Sequence, residues 1–484
     1  MQTKPCKRLN HVFVTVVCVS LLLTTDALAA NPIPTVVAPV LPQAVLPGSG
    51  DFTLTVYGAN FVPGAVVNWN RQARTTTFVS ARELQAQILA SDVTKPTAGY
   101  ITVTNPPPGG GVSSSSYAIV EVHTPDKTIA LGSTNIVHLD SMTATVADFN
   151  GDGILDLVGG YSTYLKVAFG NGDGTFRVGA SNFCYQQSSQ GIFSGDFNND
   201  GNIDVICVVS PPQSSTAYLK VFLGNGDGSF RYVSHFANFT YNTAPVFMAI
   251  GDFNGDGKLD VAIGGEGFNA ALTIFLGNGD GTFKRGRSYS AVQFSTNIVT
   301  ADFNGDGKLD LVLPRYVNGK TELSLLLGNG DGTFRAPKTI FMPLQPCNLG
   351  PPLLVNDFNG DGNADLAFCD GTKLGILLGN GDGTFQSPTF YPAKGKGSTI
   401  AFAAGDFNSD GKTDLISSYL IDPNWGFAIF LGNGDGTFQA ERTLAQGNVI
   451  PWGGYDGILT GDFNSDGLLD FILKDSEFFV HLQK

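Results

Sequence analysis

Asp302-Phe303-Asn304-Gly305-Asp306-Gly307-Lys308-Leu309-Asp310 is the stretch that decides the fold. Near copies of these nine residues begin at Asp148, Asp196, Asp252, Asp302, Asp357, Asp406 and Asp462, at spacings of 48, 56, 50, 55, 49 and 56 residues. A period of about 50 residues marks a repeat architecture, in which each unit is one supersecondary structure that stacks on its neighbours.

Every copy has Asp, Asn, Asp and Asp at positions 1, 3, 5 and 9, hard oxygen donors spaced along a tight loop. Position 6 is always glycine, which takes the positive φ that curls the chain around an ion. Position 7 offers its backbone carbonyl, so its side chain is free to vary. The pattern predicts seven calcium loops. The first two are Asp148, Asn150, Asp152, Ile154 and Asp156, then Asp196, Asn198, Asp200, Asn202 and Asp204. The third and fourth are Asp252, Asn254, Asp256, Lys258 and Asp260, then Asp302, Asn304, Asp306, Lys308 and Asp310. The fifth is Asp357, Asn359, Asp361, Asn363 and Asp365; the sixth is Asp406, Asn408, Asp410, Lys412 and Asp414. The seventh is Asp462, Asn464, Asp466, Leu468 and Asp470. Leu313 stands where an EF-hand needs a bidentate Glu, so a helix-loop-helix sensor is not supported. The alternative is a set of Asx-Gly turns that bind nothing, and seven intact copies weigh against it.

The chain has 484 residues, 42% hydrophobic and only 14% charged, with 61 Gly and 25 Pro. That mixture suits many short strands joined by tight turns and excludes both disorder and long helices. The formal net charge of −14 argues against nucleic acid as a partner. Three aspartates in each of seven loops make up half of the 42 acidic residues, and seven divalent ions would cancel the excess.

Lys4, Lys7 and Arg8 precede an apolar run at residues 12–23 and the small-x-small segment Ala27-Leu28-Ala29, so residues 1–30 read as an export signal. A retained membrane anchor is the alternative, although the run is short for a bilayer. No other segment is apolar enough to span a membrane, and the expected location is secreted or at the cell surface. Cys184 with Cys207, and Cys347 with Cys369, bracket the second and fifth loops. Oxidising conditions permit two disulfides, but four cysteines allow three connectivities and buried thiols remain the alternative.

Residues 31–122 lack the loop. Their period-two runs (residues 52–57, 66–69, 83–88 and 100–104) predict a small β-sandwich. Val56-Tyr57-Gly58-Ala59-Asn60-Phe61-Val62-Pro63-Gly64, Asn68-Trp69-Asn70 and Val103-Thr104-Asn105-Pro106 resemble IPT/TIG immunoglobulin-like domains, which implies an accessory binding or spacer module. Trp69 is expected in the core.

Residues 123–484 hold a second signature. Phe169-Gly170-Asn171-Gly172-Asp173-Gly174-Thr175-Phe176 returns in Leu-Gly-Asn-Gly-Asp-Gly-Thr/Ser-Phe form from Leu223, Leu276, Leu327, Leu378 and Leu431. Asn-Gly and Asp-Gly are the strongest hairpin-turn dipeptides, so this run predicts a structural turn whose Leu and Phe pack within or between sheets. A second ion site at Asp173 and its equivalents is the alternative. Strand, loop, strand, strand, turn and strand give four antiparallel strands per repeat, hence an all-β, seven-bladed β-propeller behind the immunoglobulin-like sandwich. After Asp470 only two strands remain before the end of the sequence. Residues 127–131 are expected to supply the missing outer strand of the last blade and seal the ring, removing exposed edges. The two signatures together resemble the FG-GAP/VCBS repeat family, which includes the propeller heads of integrin α subunits. That resemblance implies calcium, up to seven ions, on one rim of the blades.

No catalytic signature is present: His11, His123, His138, His235 and His481 are scattered, and there is no G-x-S-x-G, C-x-x-C or P-loop. A non-catalytic recognition or adhesion module for an extracellular protein or glycan ligand is expected. One alternative is a carbohydrate-active propeller, lectin or polysaccharide lyase, using Trp425 and Trp452 in variable loops; the other is a purely structural scaffold. The ligand-contacting loops are expected at residues 178–190, 231–245, 335–352 and 439–456.

Overall fold

Period-two runs between glycine-rich turns fold into strands throughout. In the computed structural model the described residues are 30–483, apart from 114–117, 125–128, 130, 140–142, 162–163, 184–190, 210–215, 241–246, 265–271, 290–297, 318–319, 345–352, 372, 393–398, 422–423, 448–456 and 475–477. The export signal expected at residues 1–30 therefore lies almost wholly outside them. Among the described residues the fold is all-β, with one short 3-10 turn, Ala90–Val93.

Two sheets form from the N-terminal segment. One orders Thr35–Leu41, Phe52–Ala59, Glu83–Ile88 and Thr76–Ser80; the other is built around Ala118–Val122, Thr97–Asn105 and Val66–Trp69. They share one core, where Leu54, Val56, Leu84 and Ile88 meet Val67, Trp69, Ile101 and Val120. Trp69 is 3% exposed, a core residue as expected.

Seven four-stranded antiparallel sheets follow, consistent with propeller-like blades. The first orders Thr143–Ala147, Asp156–Tyr161, Tyr164–Gly170 and Phe176–Phe183. The next five repeat this meander, from Ile192–Gly195 to Arg442–Gly447. The last orders Ile458–Gly461, Asp470–Lys474, Phe478–Gln483 and then Leu131–Val137, which precedes the first sheet in sequence. The outer strand was expected at residues 127–131 and instead occupies Leu131–Val137. Its register sets Asn135 opposite Val480 and Val137 opposite Phe478. That register buries Val137 and turns Ile136 to solvent, so alternation and not the more apolar upstream run decides the position.

Each second strand is buried on both faces, as in Asp204–Val209, because every sheet stacks on the next. The apolar core is divided accordingly. Seven clusters are each shared by two sheets: six join consecutive sheets, and one joins Phe463, Ile472 and Val480 of the last sheet to Leu155, Leu157 and Ala168 of the first. The first strands of all seven sheets line a cavity of about 580 Å³, through residues such as Thr145, Ser194, Ala249, Thr300, Val355, Ala403 and Thr460. Thr35, Val37 and Ile119 of the N-terminal sheets line it as well.

Two further expectations change. The segments 178–190, 231–245, 335–352 and 439–456 are not wholly loops, because Phe176–Phe183, Phe230–Thr240, Lys338–Leu344 and Arg442–Gly447 are the outer strands of their sheets. Trp425 lies on strand Asn424–Phe430, paired with Leu420, and not in a loop; the run that buries Phe427 and Ile429 extends the strand through it. Trp452 lies outside the described residues. Cys369 is disulfide-bonded and Cys207 is completely buried, while Cys184 and Cys347 fall outside the described residues.

Candidate metal loops and the domain seated on them

The nine-residue motif connects the first and second strands of every sheet, and its last Asp opens the second strand. All seven loops fold alike. The position-1 carboxylate accepts the N–H of the position-6 glycine at 2.6–2.9 Å. The position-3 Asn carbonyl accepts the N–H of position 5 at 2.8–3.1 Å. The position-5 carboxylate accepts the N–H of position 7 at 2.8–3.1 Å, which fixes Ile154, Asn202, Lys258, Lys308, Asn363, Lys412 and Leu468. The curl needs the left-handed region at position 6, where Gly307 has φ 79° and Gly467 has φ 89°.

The position-9 aspartates, Asp156, Asp204, Asp260, Asp310, Asp365, Asp414 and Asp470, are completely buried. Each ties the loop to the third strand. Asp310 accepts from Phe303 N at 3.0 Å and from Gly328 N at 2.8 Å. The other five complete sheets repeat this pair of bonds. In the last sheet Asp470 bonds Phe463 N and Gln483 N. Burial, opposed by the Gly328 N–H and reinforced by the charges of Asp302 and Asp306, raises the Asp310 carboxyl to about 7. Burial likewise raises Asp365, Asp414 and Asp470 to about 8, with the carboxylates of their own loops adding to it.

These loops fit a hard divalent cation. The charges of the position-1 and position-5 carboxylates add to burial in raising the position-9 pKa, which is the electrostatic situation a cation relieves. A carboxylate has about four lone-pair sites, so Asp310, with two hydrogen bonds, has acceptor capacity to spare. Among the described residues no three acidic, histidine or cysteine side chains converge on one point, so the fit rests on the donor chemistry of each loop, three carboxylates with an amide oxygen and a backbone carbonyl, and not on a preformed cage.

The second signature is a structural turn. Asp173 accepts from Thr175 N at 2.9 Å and from the same residue's hydroxyl, which lowers its pKa. The turn also joins adjacent sheets. Gly228 N donates to Phe149 O at 3.0 Å, and Phe230 packs edge-on against Phe149 with ring centres 5.7 Å apart. This pair of contacts recurs at five more junctions. One of them is between the first and last sheets, where Gly174 N meets Phe463 O at 2.9 Å and Phe176 packs on Phe463.

The N-terminal sheets rest on these loops, which local sequence patterns could not have indicated. Arg71 Nη2 lies 2.7 Å from Asp148 Oδ2. Arg82 Nε lies 3.4 Å from Asp302 Oδ2, and its Nη2 reaches Gly362 O at 3.2 Å. Ile33 N donates to Asp252 Oδ2 at 2.9 Å, and the Tyr100 hydroxyl donates to Asp462 O at 3.3 Å. Glu121 meets Ser409 of the sixth loop.

Residues 148–207, 196–263, 252–313 and 357–417 match an FG-GAP-like repeat. No curated protein matches the chain. Among solved structures, a lectin from Agrocybe aegerita that recognises non-reducing terminal N-acetylglucosamine is similar at 17% identity and TM-score 0.46, over 79% of this chain and 96% of that one. An auxiliary nutrient binding protein from Bacteroides ovatus is similar at 13% identity and TM-score 0.37, over 93% and 98%. Rhamnogalacturonan lyase YesW is similar at 12% identity and TM-score 0.42, over 93% and 90%. At these scores the likenesses bear on neither ligand nor chemistry. The repeat match and the recurring loop geometry agree on one point: this all-β chain carries FG-GAP-like repeats.

Proposed function

We propose that this chain is a calcium-stabilised, closed seven-bladed β-propeller, topped by an immunoglobulin-like domain of the IPT/TIG type, that serves as a non-catalytic recognition module. It is exported, and its ligand is an extracellular protein or glycan. The observation carrying this reading is the identical commitment of all seven loop carboxylate sets to backbone N–H groups of their own sheets. Carboxylates fixed in that way are poor general acids or bases, because the proton they would exchange is replaced by backbone donors and by the ion. When bound, calcium supplies the positive charge that lets three aspartates share one turn. The chain's own residues do the positioning: position 1 closes the curl, position 9 fixes the loop to the third strand, and the position-2 Phe holds adjacent sheets together at six junctions.

Binding of the mature protein to glycan and matrix-protein arrays, in calcium and in chelator, tests this reading. Selective binding in calcium that is lost in chelator is the expected result. Cleavage of a bound polysaccharide would overturn the non-catalytic reading. Folded protein that binds nothing in either buffer would overturn recognition in favour of a scaffold.

A further inference from the structure

We infer that Glu121, on the last strand of the N-terminal domain, is a sixth protein donor to the sixth loop, making a composite divalent-cation site shared by the two domains. The inference rests on the calcium reading of the loops. Glu121 lies on Ala118–Val122, 288 residues from its loop partner, and is only 2% exposed. One carboxylate oxygen accepts from Ser409 Oγ, while the other, Oε1, is buried with no hydrogen-bond partner.

The sixth loop differs from the other six in having positions 3 and 4 covered. Asn408 and Ser409 are buried, whereas positions 3 and 4 of every other loop are partly or fully exposed. Ser409 holds φ 53°, so a non-glycine residue accepts the left-handed region here and directs its hydroxyl to Glu121. Beside it, Thr413 Oγ1 bonds Gln43 Oε1 of the N-terminal domain at 3.3 Å. The contrast in charge is decisive. At the first and fourth loops the domain presents Arg71 and Arg82, cations that match an acidic loop. At the sixth it presents a carboxylate to a loop that already has Asp406, Asp410 and Asp414. A further negative charge that is buried and has an unpartnered oxygen is strongly unfavourable unless it shares a cation or takes up a proton, and calcium titration separates the two. Four carboxylates around one ion also raise affinity, since calcium loops tune binding by ligand charge. The sixth site should therefore be the tightest of the seven, and its ion should hold the N-terminal domain to the blades.

Calcium titration of the full mature chain against a chromophoric chelator, comparing wild type with Glu121→Gln, tests the inference. The expected result is loss of the tightest site, weakened at least tenfold, with the remaining sites unchanged. Thermal unfolding gives a second readout. Glu121→Gln should lower the midpoint in calcium and leave it equal or higher in chelator, where the substitution removes an uncompensated buried charge. Unchanged calcium affinity in Glu121→Gln, or the same midpoint change in both buffers, overturns the composite site and leaves the calcium loops standing. Wild type that binds no calcium overturns both readings. If Glu121→Gln does not fold, hydrogen exchange of wild type decides: calcium should protect residues 118–122, and Asp410→Asn should abolish that protection. Protection that survives Asp410→Asn overturns the inference.

Discussion

Phe463→Ala tests whether the sheets close on themselves. Phe463 is 1% exposed and packs on Phe176 of the first sheet with ring centres 5.9 Å apart. It shares a cluster with Leu155, Leu157 and Ala168 of that sheet. Truncating a fully buried Phe to Ala costs about 3–5 kcal/mol, through lost transfer energy and the cavity left behind. Phe303, at the junction of the fourth and fifth sheets, is 2% exposed and packs on Phe385 at the same 5.9 Å. In a closed ring the two truncations should therefore cost the same within ~1 kcal/mol. Because a chain this long need not unfold in one step, a local measurement is the better assay. Hydrogen exchange of residues 470–474 and 478–483 in calcium should accelerate by about two to four decades in Phe463→Ala, the kinetic equivalent of about 3–5 kcal/mol. Acceleration by less than about fivefold, alongside a full effect of Phe303→Ala, would mean that the first and last sheets do not pack.

Other consequences concern charge. Arg82→Ala removes a guanidinium 3.4 Å from Asp302. It should tighten calcium at the fourth loop by about tenfold, on the order of 1.4 kcal/mol, and isothermal titration would show that site moving toward higher affinity. Weaker or unchanged calcium binding would refute the competition. His481 stacks on Phe471 in the last sheet and lies tilted against Phe427 of the sixth, and burial lowers its pKa from 6.5 to about 4. A base whose folded pKa is depressed stabilises the fold above its unfolded pKa, and that stability is lost as pH falls from 6.5 toward 4. The loss reaches roughly 3 kcal/mol, so His481→Phe should be more resistant than wild type to acid unfolding in that window. Parallel pH profiles for the two proteins would refute this. Asp310→Ala leaves Phe303 N and Gly328 N without their acceptor in a fully buried site. In calcium it should cost about 3–5 kcal/mol, read as a lower urea midpoint; a change under about 1 kcal/mol would refute the cross-link.

Much of the fold was legible because each repeat writes its own structure locally. Glycines at turn positions, Asp and Asn at alternate loop positions and apolar period-two runs mark the four strands of each repeat, and the short final repeat pointed to an N-terminal strand that completes it. Four of the outer strands run into segments expected to be ligand-contacting loops, for a physical reason. None of residues 338–341 in Lys338–Leu344 is buried, so that strand carries no in–out alternation to read. Likewise Trp425 follows a turn dipeptide, Pro423-Asn424, which hides the start of its strand. The position-9 aspartates were read as ligands, and their cross-links were not legible, because Gly328 N is 18 residues from Asp310. Least legible was the domain contact. Arg71, Arg82 and Glu121 reach their loops across 77 to 288 residues, and no period or motif encodes a meeting between segments so far apart.

Calcium-dependent stability of the mature chain is the most direct test of the account. Native mass spectrometry at saturating calcium should count seven bound ions, and chelation should lower the unfolding midpoint. A protein that keeps no calcium and unfolds at the same midpoint in both buffers would contradict the account, leaving the seven loops as turns held by hydrogen bonds alone.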